Sequence, residues 1–122
     1  MNITNNYHKL EVFDKAYKLA LAIHKLSRQF PKEELFSLTS QIRRSSKSVA
    51  LNIAEGATRR ESKKTFAQFL YIAMGSCEET IVLLSFASDL NYISDQNLQN
   101  LQGLEKEYQI LAKQIFTLIK KT

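Results

Sequence analysis

Four segments of this chain repeat apolar residues at alternating intervals of four and three, and very little between them can form a tight turn. The first carries Val12, Ala16, Leu19, Ile23, Leu26 and Phe30. Such spacing follows the 3.6-residue period of a helix that buries one stripe. Pro31 is expected to end this helix, because the residue before a proline avoids the helical region. The second segment runs from Leu38 to about Arg59, with Ser37 as its expected N-cap. Ser62 is the expected N-cap of the third, which runs to about Leu90 with the stripe Phe66, Phe69, Ala73, Ser76, Thr80, Leu83, Ala87 and Leu90. Ser94 and Asp95 open the fourth, whose stripe is Leu101, Leu104, Tyr108, Leu111, Ile115 and Leu118. With only three Gly and one Pro in 122 residues, a β-rich fold would lack the turn residues it needs. The pattern predicts an all-α chain, an antiparallel up-and-down four-helix bundle forming one domain over residues 1–122.

The second stripe is Leu38, Ile42, Ser45, Val49, Asn52 and Gly56, so two members are polar and one is glycine. A purely apolar core would not select them. A helix turn centred near Arg59 and Arg60 would place Ser45 opposite Gly75 and Ser76. It would also bring Gln41 and Arg44 within reach of Glu79. Small residues on both sides would let the helices approach closely, and Asn52 would fix register at some cost in stability. Gln41, Arg44, Asn52, Glu55, Gly56, Gly75, Ser76 and Glu79 are therefore assigned to fold and assembly rather than catalysis.

The third segment has no Lys or Arg between Lys64 and Lys106. Its apolar residues cover an arc of roughly 220° at 100° per residue, wider than the stripe a bundle helix needs. Ile72 and Phe86 lie on its flank. The excess calls for a neighbouring subunit, so a homo-oligomer is expected.

Charge is equally uneven. The chain has 17 basic and 12 acidic residues, a net +5. Between Arg43 and Lys64 stand Arg43, Arg44, Lys47, Arg59, Arg60, Lys63 and Lys64 against only Glu55 and Glu61. That stretch holds the whole surplus. Arg43, Lys47, Arg59, Arg60, Lys63 and Lys64 are the candidate phosphate-binding residues, and RNA or DNA is the expected partner.

Catalytic signatures are missing. His8 and His24 form no metal-binding pattern, and His24 reads as a surface or boundary residue. Cys77, the only cysteine, reads as a small core residue. No phosphate loop or nucleophile elbow occurs, so no catalytic residue, metal or cofactor is assigned. The first residues lack an apolar signal region, and the longest apolar run, Phe69 to Met74, is too short to span a bilayer. A cytoplasmic location without membrane association is expected.

Several of these residues carry a family resemblance. Gln41-Ile-Arg-Arg44, Asn52-Ile-Ala-Glu-Gly56 with Arg59, and Phe69-Leu70 with Ile72-Ala73-Met-Gly75-Ser76 and Glu79 resemble a bacterial four-helix bundle family. It comprises proteins encoded in intervening sequences of large-subunit ribosomal RNA genes, often labelled ribosomal proteins. The accessory variability determinant of diversity-generating retroelements is similar. The opening Lys9-Leu-Glu-Val-Phe and the Phe30-Pro31 turn agree with the same pattern. Ser45-Ser46 stand where the pattern often has alanines, and Met74 where a basic residue is common. The resemblance implies a four-helix bundle, commonly a homopentamer, without known enzymatic activity. Its retroelement relatives bind nucleic acid and a reverse transcriptase through basic surfaces.

Two functional readings stand at this point. The first is a basic homo-oligomer that binds RNA or DNA through phosphates. The second is a scaffold for a protein partner, such as a ribosomal component or a reverse transcriptase.

Overall fold

The computed structural model describes residues 10–122; His8 and Lys9, singled out above, lie outside them. Among the described residues four α-helices follow one another: α1 (Glu11–Ser27), α2 (Leu38–Ala57), α3 (Lys63–Asp89) and α4 (Asp95–Lys121). A short 3-10 turn (Lys32–Glu34) interrupts the α1–α2 connection. Each helix packs against its two ring neighbours, α1 on α2 and α4, α3 on α2 and α4. This is the antiparallel four-helix bundle that short connections impose.

The stripes are the core. Ile23, Ile42, Ile53, Leu70, Leu84, Leu101, Leu111 and Ile115 are fully buried. Burial of a side chain of this size contributes about 1.5–3 kcal/mol. Tyr108 is also fully buried, and its hydroxyl has no hydrogen-bond partner among the described residues.

The helix ends depart from expectation in instructive ways. Helix α1 stops at Ser27, four residues before Pro31; Phe30 is buried but belongs to the turn. Ser37 occupies the N-cap position of α2 without capping it. Glu34 does that work: its Oε1 accepts from Leu38 N at 3.2 Å and from the Ser37 hydroxyl. Its other oxygen accepts from the Tyr92 hydroxyl at 2.6 Å, tying the α1–α2 loop to the α3–α4 turn. Ser62 caps α3 as expected, accepting from Thr65 N at 3.2 Å. Ser94 holds the N-cap position of α4, where its hydroxyl accepts from the Asn97 side chain rather than from the backbone.

Helix α3 ends in a left-handed residue, Asn91, with φ 62°. Tyr92 N donates to Ala87 O and Asn91 N to Ser88 O, both at 3.0 Å. That paired closure usually uses glycine; asparagine is the side chain that best tolerates the same backbone.

By length and composition alone α3 could cross a membrane, with 39% of its most apolar window buried in the bundle. Its buried residues, Phe66 through Ala87, occupy about 140° of the helix at 100° per residue. The rest of the expected arc is open. Tyr71, Ile72, Val82, Phe86 and Leu90 are each about half exposed and form one outward stripe.

Candidate nucleic-acid interface

The α2–α3 contact sets the position of every candidate residue. Ser45 Oγ and Thr80 Oγ1 lie 2.8 Å apart in the core, and Ser48 Oγ and Ser76 Oγ 2.8 Å apart nearer its edge. Asn52 Nδ2 donates to Ser48 O at 2.8 Å and to Ser48 Oγ at 2.9 Å. Ser45–Thr80 and Ser48–Ser76 are thus two hydrogen-bonded rungs between the helices, which explains serine at position 45, whereas Asn52 bonds within α2 and makes no rung of its own.

This ladder corrects the expected register. Ser45 faces Thr80 rather than Gly75 and Ser76, about one helical turn away. The connection is centred nearer Ser62 than Arg60, because α2 ends at Ala57 and α3 begins only at Lys63. Gln41, Arg44 and Glu79 are all exposed, and the described ion pairs do not include Arg44 with Glu79. The close approach is not at Gly75, which is exposed with no atom within 4 Å of a Cβ built there. It is at Gly56, where a Cβ would meet Phe69 Cβ at 2.9 Å and Phe66 Cδ1 at 3.1 Å.

The cations divide into two patches. At the bundle end, Arg59 pairs with Glu55 at 2.7 Å, and its guanidinium lies 5.3 Å from the Phe69 ring centre. Arg60 lies 5.4 Å from the Phe66 ring centre. The two arginines therefore cover the aromatic pair that packs on Gly56. Lys63 and Lys64 are exposed in the first turn of α3, which contains no acid. Cations there oppose the helix dipole, so this end is strongly electropositive.

The second patch lies on the flank of α2, about 15 Å or more back along the axis from the bundle end. Arg43 is half-buried, and its Nε donates to Ser27 Oγ at 2.7 Å. The bond anchors the guanidinium and leaves its two terminal nitrogens for another acceptor. Arg44 and Lys47 are exposed beside it. The charges of Arg43, Lys47 and Arg28, with some burial, hold His24 below its ordinary pKa of 6.5. Composition alone did not distinguish these patches, since both fall within one basic stretch.

Burial pushes the Cys77 thiol up to about 12, so it is a poor nucleophile at neutral pH. Among the described residues, no group of three or more His, Cys, Asp or Glu could hold a metal ion.

Comparison with known proteins gives a consistent picture. The family described as 23S rRNA-intervening sequence protein matches residues 8–117. Among solved structures, the chain is similar to a protein of unknown function from the S23 ribosomal protein family of Bacteroides thetaiotaomicron VPI-5482. The TM-score is 0.77 at 25% identity, over 89% of this chain and 98% of that one. No curated protein matches.

Proposed function

The chain belongs to the 23S rRNA-intervening sequence protein family, and on that premise we propose that it is a non-enzymatic, homo-oligomeric bundle that binds nucleic acid through phosphates. The observation that carries this reading is the placement of charge. Every residue of the positive surplus lies on α2, on the α2–α3 turn or in the first turn of α3, and only Glu55 and Glu61 offset it. Contacts are to phosphates, since no base-reading module is present, so binding is weakly sequence-specific. Repetition of the bundle end around an oligomer would add multivalency to modest single-subunit affinity. The outward stripe of α3 is read as the subunit contact and not as a lipid-facing surface, and the protein is read as cytoplasmic, without cofactor or metal.

The test is a salt titration of binding to duplex DNA and to a structured RNA. Lys63→Gln with Lys64→Gln is the informative pair, because Arg59 and Arg60 also brace the fold. Each lost phosphate contact on B-DNA lowers the slope of log K against log salt by about 0.9. No wild-type binding at low salt to either ligand would reject the reading.

A protein-scaffold reading has its own support. An apolar groove of about 390 Å³ runs between α1 and α2, lined by Phe13, Tyr17, Leu21, Leu51 and Ala54 among others. A partner helix held there would bind with little salt dependence, which separates the two readings.

A further inference from the structure

The flank of α2 is chemically different from the bundle end. There the four cations Arg59, Arg60, Lys63 and Lys64 face Glu55 and Glu61, a surplus of two. On the flank Arg43, Arg44 and Lys47 face no acid within their own stretch, a surplus of three. All three line one open groove of about 610 Å³, and no carboxylate lines it. Phe36 stands at one end of that groove with 91% of its surface exposed, the most exposed large apolar side chain among the described residues. Asn52 stands at the other. Asn52 Nδ2 already donates to Ser48 O and Oγ, and its carbonyl oxygen is the acceptor left to a ligand. From the start of α2 to Asn52 the lane is about 20 Å long.

We propose that this groove binds a single-stranded nucleic acid, with a base stacked on Phe36 and the following phosphates held by Arg44, Lys47 and the terminal nitrogens of Arg43. An aromatic face beside a row of cations suits a single strand, because every unpaired base offers a π face while a duplex hides it. The absence of carboxylates excludes the balanced charge expected of a general protein-docking face. The proposal rests on the nucleic-acid reading above for its ligand class, but it uses none of the bundle-end residues.

The experiment is fluorescence anisotropy with three probes: an RNA single strand of about ten nucleotides, its duplex, and an abasic strand of equal length and charge. Intact single strand binds more tightly than the abasic strand. Phe36→Ala lowers single-strand affinity by roughly five- to a hundred-fold and leaves duplex affinity unchanged, while Phe36→Tyr retains it. Arg44→Gln with Lys47→Gln flattens the single-strand salt slope by about 0.7 per contact. Lys63→Gln with Lys64→Gln leaves single-strand affinity unchanged. If the latter pair abolishes single-strand binding, the strand lies at the bundle end and the groove proposal falls. Equal binding of abasic and intact strands overturns it as well. So does a Phe36→Ala variant with unaltered single-strand affinity, and a reduced oligomer mass in that variant would identify the ring as a subunit contact instead. Wild-type protein that binds the single strand but not the duplex would reject the bundle-end reading and leave the groove standing.

Discussion

Gly56 packs so closely on Phe69 that a Cβ added to the glycine would sit 2.9 Å from the Phe69 Cβ. The Phe66 ring at 3.1 Å and the Phe66 carbonyl oxygen at 3.4 Å close the other sides. Neither Phe Cβ nor backbone is the free end of a flexible chain, so α2 and α3 must separate to admit a methyl group. Gly56→Ala is expected to cost about 1–3 kcal/mol. Gly75→Ala, by contrast, meets no neighbour in the subunit and should leave the α2–α3 crossing intact. Chemical denaturation of both variants checks the pair; a Gly56→Ala variant as stable as wild type would remove the close crossing.

The Ser45–Thr80 hydrogen bond fixes the register of the same two helices, and its direction can be deduced. The single Thr80 hydroxyl proton is donated to Ser76 O at 2.8 Å. Ser45 must then donate to Thr80 Oγ1, in preference to Ile42 O at 3.3 Å. Ser45→Ala should cost about 0.5–1.5 kcal/mol. With Thr80→Val it should show a coupling of about 0.5 kcal/mol or more in a double-mutant cycle. Additive losses would show that the two hydroxyls act separately.

How much of this could be read beforehand depends on the kind of interaction. Apolar periodicity carries helix existence well, because one buried face demands it: Leu101, Leu104, Leu111 and Ile115 are all buried where the stripe places them. Register between helices is not periodic information. It depends on turn length, and the five residues from Thr58 to Ser62 moved Ser45 one turn along α3 to Thr80. Caps made from a distance were equally hidden: Glu34 replaced Ser37 because its position is set by Tyr92, fifty-eight residues away. The basic stretch was visible as composition. Its division into a braced end and an open flank was not, since Arg59 and Arg60 lie over Phe69 and Phe66, packed on Gly56, and Arg43 on Ser27.

His24 offers a check on the flank's electrostatics. Its pKa lies below the ordinary 6.5, first because of Arg43, then through burial and the charges of Lys47 and Arg28. The unfolded chain therefore binds more protons than the folded one as pH falls below 6.5. The stabilising contribution is present above that value and is lost as pH drops through the folded pKa. Melting temperature should fall as pH drops below the ordinary 6.5, and His24→Gln should reduce the drop. The Glu34 carboxyl is held below its ordinary 4.5 by Ser37, Tyr92 and Leu38, so its own loss occurs in a separate, more acidic window. An unchanged pH response in His24→Gln would assign the effect elsewhere.

The outward stripe of α3 yields the last expectation. Tyr71, Ile72, Val82, Phe86 and Leu90 are each about half exposed on one face, with Gly75 among them and Glu79 their polar neighbour. A contiguous apolar strip of this kind is uncommon on a monomer's surface and needs a cover. If a second copy supplies it, Gly75 is where the partner backbone comes nearest, since nothing within the subunit occupies its Cβ position. Wild-type protein should then run as a multiple of 14.0 kDa in light scattering; the family resemblance favours five chains. Val82→Lys with Phe86→Glu should release the monomer while helical content is kept, because neither side chain belongs to the buried core. Gly75→Leu should do the same, where an internal helix crossing at Gly75 would instead have unfolded the chain. A wild-type mass near one chain would reject the oligomer. An assembly that survives both variants would place its contact on another apolar face, the groove between α1 and α2 being the next to test.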